Sequence, residues 1–318
     1  MRIWILKSNI RDIAWAYIRS MRVYLFFLSG MAGYAGVVWA GGASVLNTIA
    51  ILGVVFIGWG VNQVVNDILG LKEDRINAPH RPLVTGGLPL RAAIIISALL
   101  FVIGLIVTAY LNIQAIWLYL AVFSLNILYE YAKGIPLLGN LVFGLFMPLC
   151  LAYGFVCARD SNLETIFVDQ NLLGVALAFF LANFSMCFFT YYKDYEGDKV
   201  AGKKTLVVLL SPDKARFLNF VFSLLPFAVL PFIPLVLNDL FAILMGVSFW
   251  TFQYTAWVFF KCPSGEGAYY NLKWNFLAAV IYEVSFITLV EPLLGVLLYG
   301  LSFVGVMGIF RLHKDHLS

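Results

Sequence analysis

Two stretches of an otherwise apolar chain gather the side chains that can do chemistry. The first is NQVVNDILGLKEDRINAPHRPLVTGG, residues 62–87; the second is YYKDYEGDKVAGKKTL, residues 191–206. On a helix, Asn62, Asn66, Gly70 and Asp74 drift along one stripe, and Asp67 and Glu73 project within the same third of the circumference. Val64, Val65, Ile68 and Leu71 take the opposite side. In the second stretch Asp194 and Asp198 are four residues apart and share a face beside Gly197. Carboxylate and amide oxygens brought from two helices suit a hard divalent cation, and Mg²⁺ binds through one or two carboxylates plus substrate phosphates. Nearby Arg81, Lys133, Lys193 and Lys203 supply charge for the remaining phosphate oxygens. Acids for metal beside bases for phosphate, at the mouth of an apolar helical cavity, point to an amphiphilic diphosphate with its head at the rim and its tail between helices. No glycine-rich nucleotide loop, metalloprotease helix or Ser/His pair is present, and His80, His313 and His316 fall outside the apolar spans.

The elements that position these residues are membrane helices. The chain has 318 residues, 62% hydrophobic and 12% charged, about half the charged share of a soluble domain. Apolar segments of bilayer-spanning length cover 17–40, 43–70, 91–111, 113–132, 135–158, 169–192, 213–237, 239–260, 273–291 and 293–311. With ten crossings, Lys72, Arg75, Arg81, Arg91, Lys133, the lysines of 193–214, Lys261, Lys273, Arg311 and Lys314 fall on the side of the N-terminal Arg2, Lys7, Arg11, Arg19 and Arg22, and only Arg159 opposes them. That asymmetry predicts a cytoplasmic N-terminus and cytoplasmic acidic stretches. Both stretches then lie at the same membrane edge. The carboxylates sit on the last turns of their helices, where negative charge opposes the helix dipole. Ionisable groups clustered at a membrane boundary in this way mark function.

The expectation is an all-α polytopic membrane bundle around a central cavity, one domain over residues 1–318, with two four-helix pseudo-repeats that each end in an acidic stretch. Residues 1–16 read as an interfacial amphipathic segment without the cleavage site of a signal peptide. The net charge of +4 is topological, and no nucleic acid is implied. Cys150, Cys157, Cys187 and Cys262 have no disulfide or zinc spacing and read as packing residues.

At these residues the chain resembles the UbiA superfamily of intramembrane prenyltransferases. Its first motif, Asn-Asp-x-x-Asp-x-x-x-Asp, is matched by Asn66-Asp67-Ile68-Leu69-Gly70-Leu71-Lys72-Glu73-Asp74, followed by RINAPHRPLVTG. Its second, Asp-x-x-x-Asp then Gly-x-x-Thr/Ser-Leu, is matched by Asp194, Asp198, Gly202, Thr205 and Leu206. LYEYAKGIPLLGN, Leu128 to Asn140, is similar to the family's Tyr/Lys segment. The resemblance implies two Mg²⁺ ions and a prenyl diphosphate held by Asn66, Asp67, Asp74, Asp194 and Asp198, the four carboxylates being the catalytic set. Arg81, Lys133 and Lys193 become the phosphate clamp and Asn140 a further substrate-binding candidate, while Arg22 and Arg19 read either as binders of an acidic acceptor or as interfacial anchors. Three features depart from the pattern. Gly70 stands where many members have the middle Asp, a position Glu73 could serve. Val23 follows Arg22 where proline is common. Ten spans are read where the family usually has nine, so either the last segment is an addition or 273–291 does not cross.

The implied reaction is Mg²⁺-dependent ionisation of the prenyl diphosphate and transfer of the prenyl group to a lipophilic acceptor, an aromatic ring or another lipid precursor. The alternative within the fold is a terpene synthase, which closes the carbocation on its own double bonds. A transporter would place its acids near the bilayer midplane, whereas these cluster at one edge.

Overall fold

The computed structural model describes residues 9–312, so residues 1–8 of the amphipathic segment, with His313, Lys314 and His316, lie outside the described residues. Helices α1 (Ile10–Ser20), α2 (Phe26–Trp39), α3 (Val45–Leu69) and α4 (Leu71–Asn77) lead to the short α5 (Pro82–Thr85). Then come α6 (Leu90–Leu111), α7 (Ala115–Ala132), α8 (Leu138–Gly144), α9 (Phe146–Arg159) and α10 (Glu164–Val168). The second half holds α11 (Gln170–Val200), α12 (Leu206–Leu210), α13 (Pro212–Ala215), α14 (Asn219–Ala228), α15 (Asp239–Lys261), α16 (Gly265–Ile287) and α17 (Pro292–Leu312). Among the described residues there is no strand. That suits a chain in lipid, where a helix satisfies its own backbone groups.

Local sequence sets the ends. Ser44, Asp169 and Asn238 cap α3, α11 and α15 through side-chain oxygens that accept from Asn47, Leu172 and Phe241 backbone N–H groups. The seventh expected span, 213–237, stops short because Pro231 and Pro234 follow α14 and cannot extend it. The first span is bent by 41° between α1 and α2. The bend falls where Arg22 takes a left-handed backbone conformation, φ 52°, unusual for a residue with a side chain.

Among the described residues eight helices are long and apolar enough to cross a membrane, or nine with the bent α1–α2 pair as one span. The chain is an integral, multi-pass membrane protein. α16 fails only on composition. At 23 residues it matches α15 in length, yet it carries Lys273, Asn275, Glu283 and Ser285, all buried. It packs against α2, α11, α15 and α17, so its surface faces protein. Asn275 donates to the Met186 carbonyl at 3.0 Å, Tyr282 to the Pro226 carbonyl at 2.6 Å, and Asn183 to Glu283 at 3.4 Å. Glu283 therefore does not interrupt the helix; α11 supplies it with a donor. On the periphery, α6 presents Ile95, Leu99, Ile106 and Tyr110 outward, the surface that lipid covers. Cys150, Cys157 and Cys187 are buried as packing residues should be, but Cys262 is exposed just past α15.

The tightest crossing is between α2 and α9. A Cβ on Gly36 would overlap the Leu151 carbonyl oxygen, and one on Gly154 would overlap the Gly33 carbonyl oxygen. In lipid, helices gain contact by letting backbones approach through small residues. Gly154→Val is therefore expected to lower stability by about 1–3 kcal/mol, read as a lower thermal unfolding midpoint in detergent. Gly246→Ala on α15, with open space around it, should leave the midpoint unchanged.

Candidate active site

The first acidic stretch is not one continuous helix. α3 ends at Leu69, Gly70 caps it by donating to the Asn66 carbonyl at 2.8 Å, and the Gly70 carbonyl receives the Asp74 N–H at 2.9 Å as α4 begins. Asp67 thus lies in the last turn of α3, as expected. Glu73 and Asp74 instead fall in the first turn of α4, where the helix dipole favours negative charge. The expected electrostatic cost therefore applies to Asp67 and Asp198 but not to Glu73 or Asp74, nor to Asp194, which lies more than a turn before the end of α11 at Val200.

Asn77 joins the two stretches. Its Nδ2 donates to the Asp194 carbonyl at 3.0 Å, and its Oδ1 accepts from the Gly197 N–H at 2.7 Å. A Cβ on residue 197 would overlap the Asn77 amide, so only glycine admits this clasp. The chain after α11 turns at Gly202, φ 76°, and Thr205 caps α12 by accepting from Val208. These two positions of the second motif therefore shape the return of the chain. Lys204 N–H bonds the Lys133 carbonyl at 2.8 Å, tying this turn to the end of α7.

Nine of the ten residues singled out from the sequence line one cavity: Arg22, Asn66, Asp67, Asp74, Arg81, Lys133, Lys193, Asp194 and Asp198. Its empty space is about 890 Å³ with the open mouth included. Asn140 is not brought to it. Its amide donates to the Phe184 carbonyl at 3.1 Å and ties α8 to α11, because the break before α8 turns it toward the neighbouring helix. The cavity wall also includes Gln63, Glu73, Asn77 and Glu130, and an apolar side built from Tyr24, Trp59, Tyr129, Phe143, Met186 and Phe276. Glu130 and Asn77 carried a signal in the sequence: Glu130 is the sole carboxylate between Asp74 and Asp160, and Asn77 follows the first motif directly.

Asp67 Oδ1 accepts from Arg22 and, at 3.1 Å, from Arg81, which also pairs with Asp74. Arg22 bonds Gln63 as well, so it is built into the cavity wall and is not an interfacial anchor. Lys193 pairs with Asp194 at 2.7 Å. Lys133 reaches Glu130 at 2.8 Å, and Lys203 reaches Glu130 at 2.7 Å and Glu73 at 3.5 Å. Burial opposes the charge of Arg81, but Asp67, Asp74 and Asp194 outweigh it and hold the guanidinium more firmly protonated than usual. Lys133 behaves alike under Asp198, Glu130 and Asp194. Burial raises the Asp74 carboxyl above the ordinary carboxylate range despite Arg81.

Among the described residues no three acidic, Cys or His groups stand close enough to cage an ion unaided. Mg²⁺ does not need such a cage when phosphates complete its shell. Asn66 Oδ1, Asp67 Oδ2 and Asp198 Oδ2 are buried acceptors without a hydrogen-bond partner, on two helices facing one cavity. Buried unpaired acceptors are costly, and these three are the atoms a cation would satisfy. The donor set fits the metal.

A helical membrane bundle with an acidic and basic head cavity above an aromatic wall defines an intramembrane transferase. The UbiA prenyltransferase family profile matches residues 25–280, and the chain belongs to that family. α17 lies beyond the matched residues. A digeranylgeranylglyceryl phosphate synthase of Thermococcus kodakarensis is 30% identical over 223 residues, 69% of this chain and 77% of that protein. One of Pyrococcus abyssi is 27% identical over 213 residues, 66% and 74% of the two chains. Among solved structures, a UbiA homologue of Aeropyrum pernix has a TM-score of 0.68 at 20% identity, covering 83% of this chain and 97% of that one. One of Archaeoglobus fulgidus bound to GPP and Mg²⁺ has a TM-score of 0.60 at 16% identity, covering 87% and 99%. The protein is a UbiA-type prenyltransferase.

Two outcomes test this geometry. Asn77→Ala and Gly197→Ala each remove the clasp and should each cost about 1–3 kcal/mol in detergent unfolding. The double variant should cost little more than the larger single one, because both break the same contact. A carboxyl raised in the folded state binds its proton more tightly there, so the native state gains stability as pH falls through that raised value, and ionised Asp74 costs stability at neutral pH. Asp74→Asn with EDTA present should therefore melt above the parent protein at about pH 7, with the gap closing on acidification while prenyl transfer is lost.

Proposed function

We propose that this cavity binds a prenyl diphosphate with Mg²⁺, ionises it, and transfers the prenyl group to a lipophilic acceptor, with the mouth on the cytoplasmic side. One observation carries the reading. Six carboxylates and four cationic side chains line the cavity, a formal excess of negative charge that would repel a diphosphate unless divalent cations enter with it. The arginine and lysine asymmetry of the loops supports the orientation.

Asn66, Asp67, Asp74, Asp194 and Asp198 would hold the metal, which when bound supplies positive charge to the diphosphate as the allylic C–O bond weakens. Arg81, Lys133 and Lys193 donate to diphosphate oxygens and stabilise the departing charge. Trp59, Tyr129, Phe143 and Phe276 turn an apolar wall toward the allylic carbons, exclude water and offer π faces to a cation. The tail has a path past Trp59, which also lines an apolar cleft with Val54, Leu118, Phe123 and Tyr153 between α3, α7 and α9. The likeness to digeranylgeranylglyceryl phosphate synthases favours the hydroxyl of a glyceryl phosphate lipid as acceptor over an aromatic ring.

The full chain in nanodiscs, given Mg²⁺ and C10, C15 or C20 prenyl diphosphates with either a prenylated glyceryl phosphate or an aromatic acid, tests this by product mass spectrometry. An ether product that disappears in Asp67→Ala and Asp194→Ala is expected. A prenylated ring would keep the transferase and replace the acceptor. Cyclic hydrocarbons formed without any acceptor would overturn the reading.

A further inference from the structure

Glu130, in the last turn of α7, is 6% exposed and faces the cavity. Its carboxylate stands beside Gly70: a Cβ at position 70 would lie 3.9 and 4.0 Å from the two Glu130 oxygens. Gly70 is the joint between α3 and α4, flanked by Asp67 and Asp74. A side chain there would enter the space the Glu130 carboxylate approaches, and a carboxylate there would face a like charge. Glu73, the other acid of this stretch, is drawn toward Lys203.

We propose that Glu130 is a metal-site carboxylate, delivered from α7 into the place that the side chain of residue 70 would otherwise take. This rests on the metal–diphosphate reading of the cavity and names a ligand on a helix outside both acidic motifs. The lysine contacts fit an exchange. Lys133 and Lys203 each hold one Glu130 oxygen, at 2.8 and 2.7 Å. Lys133 lines the cavity, so a diphosphate entering it competes for that ammonium group. Glu130 then loses this counter-charge to the phosphate as the accompanying cation arrives to replace it. Metal and diphosphate binding are coupled through this one residue.

The test uses the full chain in nanodiscs with Mn²⁺ as the metal and inorganic pyrophosphate as the anion. Bound Mn²⁺ is measured by electron paramagnetic resonance, and pyrophosphate affinity with EDTA by calorimetry. Glu130→Gln should weaken Mn²⁺ binding by about tenfold or more and move metal-free pyrophosphate affinity much less. Gly70→Asp combined with Glu130→Ala should restore most of the Mn²⁺ affinity that Glu130→Ala loses, which also excludes a folding defect as the cause. Unchanged Mn²⁺ binding in Glu130→Gln, or no restoration by Asp at position 70, would overturn the role of Glu130 alone. A shift in metal-free pyrophosphate affinity as large as that for Mn²⁺ would reduce Glu130 to a lysine-positioning residue and also overturn it. A parent protein that binds no Mn²⁺ with pyrophosphate would sink the metal–diphosphate reading as well.

Discussion

Carboxylates held at the edge of a hydrocarbon layer must be paired, and in this protein that requirement organises the whole charged end of the bundle. Removing a charge from water costs several kcal/mol, and only close counter-charges or metal ions offset it. Asp67 is the centre of the solution. One of its oxygens gathers Arg22 from the α1–α2 junction and Arg81 from the segment before α5. The other is buried without a partner and faces the cavity. The same carboxylate therefore closes the bundle and leaves one acceptor unpartnered at the cavity.

The remaining constraints serve that arrangement. Arg22 reaches Asp67 from a left-handed backbone turn, a costly conformation of the kind that persists where surrounding structure enforces it at functional sites. The break at Gly70 redirects the chain so that Asp74 approaches from α4, and the Asn77 clasp fixes α4 against α11. Lys203 and Lys204 tie the turn after α11 to the end of α7. The two acidic motifs, 120 residues apart across the clasp, become one rigid rim.

The apolar half follows from the solvent on each side of every helix. α6 turns an apolar side to lipid and keeps Ser97 and Thr108 on its buried side. α16 faces only protein, so it can carry Glu283 and Asn275 where neighbouring helices provide donors and acceptors. Hydropathy measures what a helix shows to lipid, and a central helix shows almost nothing. Aromatic side chains fill the wall below the charged rim.

Much of this was legible in the chain. Spans long enough to cross a bilayer and two spaced acidic motifs specify a helical membrane protein with acidic and basic side chains gathered at one end, because those signals depend on local composition and helical period. Asn66, Asp67, Asp74, Arg81, Asp194 and Asp198 could be named for that reason. Which helix ends meet was not written locally. Asn140 turns to Phe184 and leaves the cavity, Glu130 enters it from α7, and Arg22 proves to be a partner of Asp67. Those outcomes depend on backbone breaks at Gly70, Arg22 and Leu137 that aim side chains, and on packing across more than a hundred residues. Sequence spacing fixes which side chains share a helix face; only the assembled bundle fixes which faces share a cavity.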